Sequence, residues 1–388
     1  MEPYDAYQPP FTRKILVAPL DWGMGHAART IPLIHALRSY GNCQVLLGVS
    51  GHSGELLKAE FPSLEAVDLP ALSMKYSAGR SQVLRIFFQI PRMILSVIRE
   101  HYRLKKLVRV RQISAVISDN RYGLYCRKVP SILILHQLQF RFPPGVNFLS
   151  GIFSTIQAIW IKRFNQVWIP DLPGANSAAG VLSDPPAGLH HTYHIGLLSR
   201  FFYGKTGGHP VDDPYPLVAL LSGPEPQRTQ LEQLVEGELK QTGQRALLIR
   251  GVIGDGVMRS RGGVTRVSHM LSGELHRHLQ SAGVVVCRSG YSSVMDLIAL
   301  GKRAVLIPTP GQPEQEYLAA YLGQKGWFYS QHQHMFNLHE ALQKVRDYFP
   351  PRVSVSGQLF RQINRLFEDL DLKKGEGQDQ NRQAQTKT

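Results

Sequence analysis

Val284-Val285-Val286-Cys287-Arg288-Ser289-Gly290-Tyr291-Ser292-Ser293-Val294-Met295-Asp296 runs from an apolar β-run through a Ser/Gly turn into a helical start. A strand that hands such a turn to a helix N-terminus leaves backbone N–H groups free to cradle an anion such as a diphosphate. The turn places Arg288, Ser289, Gly290, Ser292 and Ser293 around that anion. Asp296, less than two turns into the helix, supplies a carboxylate for vicinal hydroxyls such as those of a ribose. The next β-run, Ala304–Ile307, leads to Gly311-Gln312-Pro313-Glu314-Gln315-Glu316-Tyr317, which offers Gln315 and Glu316 toward the same cleft. Anion cradle, diol acceptor and hydroxyl-reading side chains together predict a nucleotide-sugar site.

Outward from this stretch, short apolar runs alternate with helical periodicity in both halves of the chain. Leu217–Leu221 ends in Ser222-Gly223 and is followed by a helix over Gln227–Gly243, and the β-run Ala246–Ile249 ends in Arg250-Gly251-Val252. In the first half, Ile15–Leu20 precedes a Gly-rich turn and a helix to about Tyr40; Gln44–Val49, Ala115–Ser118, Ser131–Leu135 and Gln166–Ile169 are further β-runs. This is βαβ patterning, and it predicts parallel sheets covered on both faces. The reading is an α/β chain with an arm at 1–13, a domain at 14–197, a Pro/Gly-rich linker at 198–216, a second domain at 217–350, a helix at 351–372 and a disordered tail at 373–388.

The first Gly-rich turn is Asp21-Trp22-Gly23-Met24-Gly25-His26-Ala27-Ala28. It approximates a dinucleotide fingerprint, but the second β-run ends Val49-Ser50-Gly51-His52 without the acid that a nicotinamide dinucleotide's ribose requires. His26 falls in the first turn of the helix, where the dipole disfavours an imidazolium and suits a general base near neutral pH. Asp21 is a second base candidate on the same loop.

Composition bounds the remaining classes. With 43% hydrophobic and 19% charged residues, the 388-residue chain is globular and long enough for two cores. Cys43, Cys126 and Cys287 have neither disulfide-framework nor zinc spacing, so neither a disulfide framework nor a zinc site is indicated; no cofactor beyond the substrates is expected. The stretch 1–12 lacks the basic start and apolar core of a signal peptide, and no apolar run reaches bilayer length, which predicts a cytoplasmic protein. The formal charge of +15 is uneven: nine basic residues against Glu100 give +8 between Arg80 and Arg111. There Arg85, Gln89, Arg92, Ser96, Arg99 and Arg103 form one helical stripe, while residues such as Ile94, Leu95 and Ile98 cover other faces. The segment predicts either a core helix with a basic solvated stripe or a peripheral contact with an anionic membrane surface, in preference to nucleic acid. Pro91 is expected to break or restart the helix.

The pattern from Cys287 to Tyr317 is similar to the donor-binding region of the glycosyltransferases that include the lipid-linked peptidoglycan N-acetylglucosaminyltransferase and the plant-type monogalactosyldiacylglycerol synthases. Gly23, Gly25 and His26 fall on that family's N-terminal glycine loop, and the resemblance spans most of residues 14–345. It implies the GT-B fold, two Rossmann-like domains facing each other across a cleft, with a UDP-sugar held by the second domain and a lipid or lipid-linked acceptor by the first. Asp296 stands in place of the family's ribose-binding Glu, Gln315 matches a sugar-reading Gln, and Glu316 stands where a second Gln is common. Gly223 occupies the second glycine loop; Asp119, Asn120, His136 and Gln137 follow β-runs on the acceptor side, and the resemblance implies a base pocket shaped by Arg250, Gly251 and Val252. The implied reaction is inverting transfer at the inner membrane face, with His26 as base and backbone N–H groups and Arg288, rather than a metal, stabilising the departing UDP. A UDP-sugar epimerase and a non-catalytic sugar-nucleotide binder remain as alternatives. The Asp369-Leu370-Asp371 triplet has the spacing used by metal-dependent transferases but lies beside the tail.

Overall fold

The computed structural model describes residues 13–21, 23–71, 82–139, 148–203, 214–252, 259–353 and 357–385. The first domain runs β1 (Arg13–Pro19), α1 (Met24–Arg38), β2 (Cys43–Val49), α2 (Gly51–Glu60), β3 (Ala66–Asp68) and α3 (Gln82–Arg111). It continues through β4 (Ala115–Asp119), β5 (Ser131–Ile134), α4 (Phe148–Ile161), β6 (Gln166–Ile169) and β7 (Thr192–His194). A short helix α5 (Arg200–Tyr203) lies between the domains. The second domain comprises β8 (Leu217–Leu220), α6 (Gln227–Gln241), β9 (Ala246–Ile249), β10 (Arg259–Arg261), β11 (Val264–Val267), α7 (Ser272–Ser281) and β12 (Val284–Cys287). After it come α8 (Tyr291–Leu300), β13 (Ala304–Leu306), α9 (Pro313–Gln324), β14 (Tyr329–Ser330), α10 (Leu338–Lys344) and α11 (Gln358–Gln385).

Each domain is built on a seven-stranded sheet, ordered β3-β2-β1-β4-β5-β6-β7 and β10-β11-β9-β8-β12-β13-β14. Every pairing is parallel except β10 with β11. The central strands are continuous apolar runs because both faces are covered. Ile15 and Val17 point into the core shared with α1, whereas Leu16 and Ala18 pack on the opposite face against Leu104, Leu107 and Val108 of α3. The strands not foreseen, β3, β7, β10, β11 and β14, lie at or next to the sheet edges and lack the continuous apolar runs of the central strands.

Two expectations about helices are corrected. α3 runs unbroken through Pro91, and its inward residues are Val97, Glu100, Leu104, Leu107 and Val108. Ile94, Leu95 and Ile98 are 38–54% exposed, so the core does not absorb them. Glu100 is fully buried and tied to Arg121, whose Nε donates to Oε1 at 2.9 Å. Arg80 lies outside the described residues. The boundary expected between a helix at 351–372 and a disordered tail falls inside one helix, α11, which extends to Gln385. Glu, Gln and Lys are good helix formers, and the helix is anchored before its polar end. Tyr40 Oη donates to Asn364 at 2.6 Å and Arg13 Nη2 to Asp371 at 2.5 Å, laying α11 back across the first domain. Asp371 is thereby an ion-pair partner of Arg13. No helix among the described residues is long and apolar enough to cross a membrane.

Candidate active site

In an open parallel sheet a ligand site forms where the strand order reverses, outside the carboxyl ends of the strands. Those points are the ends of β1 and β4 in the first sheet and of β8 and β12 in the second. The loops that follow, Gly23–His26, Ser222-Gly223 and Gly290–Ser293, face one cleft of about 210 Å³. Gly23 adopts φ +103° and ψ 174°, a region that essentially only glycine visits, and so turns β1 sharply into α1. A Cβ there would meet nothing within 4 Å, so Gly23→Ala is expected to cost about 1–3 kcal/mol from backbone strain alone. Chemical denaturation measures it. Gly223 makes the matching turn at φ +111°.

The domains touch directly across this cleft. Ser292 Oγ donates to the Gly25 carbonyl at 2.8 Å, Tyr291 Oη donates to the Pro170 carbonyl at 2.8 Å, and the His136 and Tyr291 rings stack with centroids 4.7 Å apart. α1 and α8 both begin there, with no side-chain cap and no acid in either first turn. Their free N–H groups therefore remain available to a ligand anion.

Beside the cleft lies a chain of charged groups. Asp119, at the end of β4, accepts from Arg29 Nε at 2.7 Å and Arg29 Nη2 at 2.5 Å. His26 Nδ1 sits 3.1 Å from Asp119 Oδ2 and 2.6 Å from Arg29 Nη2. Arg29 Nη1, which can only donate, is 3.0 Å from His136 Nδ1, and His136 Nε2 reaches Glu314 Oε1 of the second domain at 3.0 Å. Burial and the Arg29 guanidinium push the His26 imidazole below its ordinary pKa, with Asp119 opposing them. Burial alone would raise Asp119, but Arg29 and His26 outweigh it and hold the carboxyl well below the usual range. Glu314 is likewise lowered against the effect of burial, by His136 and then Arg29. The cleft thus has a neutral imidazole at its mouth and an ionised carboxylate behind it.

His26, Gly23, Gly25, His136, Gly223, Gly290, Ser292, Ser293 and Gln315 line the cleft. Other expected site residues do not. Asp21 lies against Gly51 at the start of α2, away from the cleft wall, because the chain turns at Gly23. Asn120, at φ +57°, is spent on the turn after β4, and the Gln137 carbonyl accepts from Gln157. Arg288 is fully buried and donates to the carbonyls of Ile307, Pro308 and Gln227, so its charge is walled off from a leaving group; burial lowers its pKa to about 10. Ser289 Oγ donates to the Gln315 carbonyl. Arg250 pairs with Glu232 of α6 at 2.6 Å. Glu316 accepts from the Gly311 N–H and braces the loop before α9. Gln315, although on the wall, uses Oε1 to accept from the Thr309 N–H.

Asp296 is the most informative correction. It sits one turn deeper in α8 than the cleft-lining Ser292 and Ser293, and its oxygens accept from Ser199 Oγ at 2.8 Å and Arg200 Nε at 2.9 Å. The carboxylate therefore positions Arg200, which does line the cleft. Arg200, Arg29, Tyr291 and Glu314 also line the cleft and were missed by sequence reasoning. For Glu314 a signal existed: Pro313 at the first position of α9 fixes the helical phase, which turns residue 314 toward the first domain.

Residues 264–351 match the Glycosyltransferase family 28 C-terminal domain. An uncharacterized glycosyltransferase of Methanosarcina acetivorans is 23% identical over 327 residues, covering 81% of this chain and 84% of the relative. Among solved structures, the glycosyltransferase SnogD from Streptomyces nogalater superposes with a TM-score of 0.56 at 13% identity over 92% of this chain and 95% of its own. MurG of Acinetobacter baumannii gives 0.54 at 13% identity over 92% and 99%. SsfS6 of Streptomyces sp. SF2575, complexed with thymidine diphosphate, gives 0.56 at 16% identity over 94% and 99%. Two parallel-sheet domains facing one cleft are the GT-B fold. With the family 28 domain on that fold, the chain is a glycosyltransferase.

Proposed function

We propose that this glycosyltransferase moves a hexose or N-acetylhexosamine, with inversion, from a UDP-sugar to a hydroxyl of a lipid or lipid-linked acceptor at the inner face of a membrane. The observation that carries the reading is the pairing, across one cleft, of His26 with the uncapped N-terminus of α8. A nucleoside diphosphate suits that N-terminus, in keeping with the thymidine diphosphate complex of SsfS6. His26 takes the proton of the acceptor hydroxyl as its oxygen attacks the anomeric carbon. The bond to the diphosphate breaks from the opposite side, and the charge that develops there is met by the α8 N–H groups and the Arg200 guanidinium. The chemistry calls on no metal. Exposed Ile94, Leu95 and Ile98 beside exposed Arg92, Arg99 and Arg103 on α3 support a peripheral membrane contact on the acceptor side.

UDP at about a hundred times its dissociation constant is expected to stabilise the fold by about 2.7 kcal/mol, seen as a raised melting temperature, and NAD to leave it unchanged. Mass spectrometry of UDP-sugars incubated with membrane lipid extract reports the transfer. A free epimerised sugar nucleotide as sole product overturns the transferase reading.

A further inference from the structure

A second, larger cavity lies on the sheet face opposite α1, and none of its residues lines the catalytic cleft. It holds about 1180 Å³ between the last turns of α3, the loop after β4 and the end of α4. α3 supplies Lys105, Lys106 and Arg109; the loop supplies Arg127 and Lys128; the residues just past α4 supply Lys162 and Arg163. No acid lines it, and none of these seven side chains has a carboxylate partner among the described residues.

The wall that carries these charges is already built. Arg163 Nη1 donates to Tyr125 Oη at 2.6 Å and its guanidinium lies 4.4 Å from the Trp160 ring centroid. Tyr125 stacks on His101 at 4.2 Å, and His101 Nδ1 donates to the Tyr125 carbonyl at 3.1 Å. Apolar anchoring below is equally firm, through Leu104, Leu107 and Val108 on one side and Ile161 and Phe164 on the other. Like charges gathered around one cavity repel, and among them the Arg163 guanidinium is held in place by Tyr125 and Trp160. A multivalent anion removes that repulsion. Phosphoryl groups fit best, because each brings up to about two charges and three acceptor oxygens to a mixture of Arg forks and Lys point charges. Nucleic acid fits less well, since both faces of Tyr125 are occupied and no base could stack there.

We infer that this cavity, formed by Lys105, Arg109, Arg127, Lys128, Lys162 and Arg163, is a binding site for phosphoryl anions, separate from the catalytic cleft. The phosphoryl group belongs either to a lipid headgroup or to a soluble polyphosphate ester, and the inference stands whether or not the donor is a UDP-sugar.

The test compares the full chain with the variant Arg127→Ala/Lys128→Ala/Lys162→Ala, whose three side chains are exposed and outside the core. Inorganic tripolyphosphate is titrated calorimetrically, and vesicles of phosphatidylglycerol or of phosphatidylcholine are sedimented with each protein. Two controls run alongside: Lys58→Ala/Arg361→Ala/Arg365→Ala, with the same loss of charge elsewhere, and Arg200→Ala in the cleft. The cavity variant is expected to bind about tenfold or more weakly in at least one arm and the surface control near wild type, while Arg200→Ala removes only the share of tripolyphosphate binding that belongs to the cleft. Loss with phosphatidylglycerol assigns a headgroup; loss with tripolyphosphate alone assigns a soluble ester. Equal binding by variant and wild type in both arms overturns the site. So does an equal loss in the surface control, which would mean diffuse attraction, or a loss confined to Arg200→Ala, which would place the anion in the cleft.

Discussion

His26→Ala is expected to lower turnover by about 10²–10⁴-fold while leaving UDP affinity within a factor of about three. The two readouts separate because His26 lies on the wall of the first domain, whereas the N–H groups and loops that suit a diphosphate belong to the second. The pH profile adds a sign. Burial and Arg29 keep the imidazole below its ordinary 6.5, so it remains unprotonated, and able to take a proton, to lower pH than a free histidine. The acid limb of kcat/KM in the wild type should therefore fall below about pH 6.5. Stability follows the same sign: a depressed histidine stabilises the fold above its unfolded pKa, and that contribution is lost as pH falls through the folded value. Asp21→Asn serves as the contrast and should leave turnover near wild type, since Asp21 lies against Gly51. Undiminished turnover in His26→Ala would exclude the imidazole as base.

The sequence made the loops legible and their side-chain directions illegible, and the reason is geometric. A strand followed by a Gly-rich turn and a helix must end at the carboxyl edge of a parallel sheet, so Gly23, Gly223 and Gly290 reach the cleft in any register. Whether a polar residue beyond that turn faces the cleft depends on a rotation of about 100° per residue. Glu314, Gln315 and Glu316 are consecutive and point to three different places, whereas Asp296, on nearly the same face of α8 as Ser292 and Ser293, sits one turn deeper and meets Ser199 and Arg200. Arg288 precedes the turn, directly after the buried end of β12, and is itself enclosed by the carbonyls of Ile307, Pro308 and Gln227. Arg29 was invisible for another reason. Nothing local to α1 announces a partner, because Asp119 is brought to it only by the β1–β4 pairing, in which Pro19 lies beside Asp119. For Ile94, Leu95 and Ile98 the pattern left core and membrane surface both open, since periodicity counts apolar faces without saying which one the sheet covers.

Asp119→Asn should reduce both stability and turnover, and the two losses have different origins. Arg29 is 3% exposed and gives two hydrogen bonds to the Asp119 carboxylate. Removing that charge strands a buried guanidinium, at a cost of about 3–5 kcal/mol read from denaturation at pH 7. The folded carboxyl titrates well below its unfolded value, so its contribution is complete above the unfolded pKa and is lost as pH falls through the folded one; the Asn variant should lack that acid-range slope. The loss of turnover has its origin in the imidazole. His26 Nδ1 can accept from Arg29 Nη2, which leaves the proton on Nε2, or donate to Asp119 Oδ2, which leaves Nε2 free to act as base. Only the second arrangement is productive, and only a carboxylate favours it. An amide in place of an orienting carboxylate costs about 10⁴ where the tautomer is set this way. Arg29→Met/Asp119→Leu separates the two effects. Apolar residues of similar size should restore much of the stability, because no unpaired charge remains, yet turnover should stay low. Recovery of turnover together with stability would reduce Asp119 to a structural partner of Arg29.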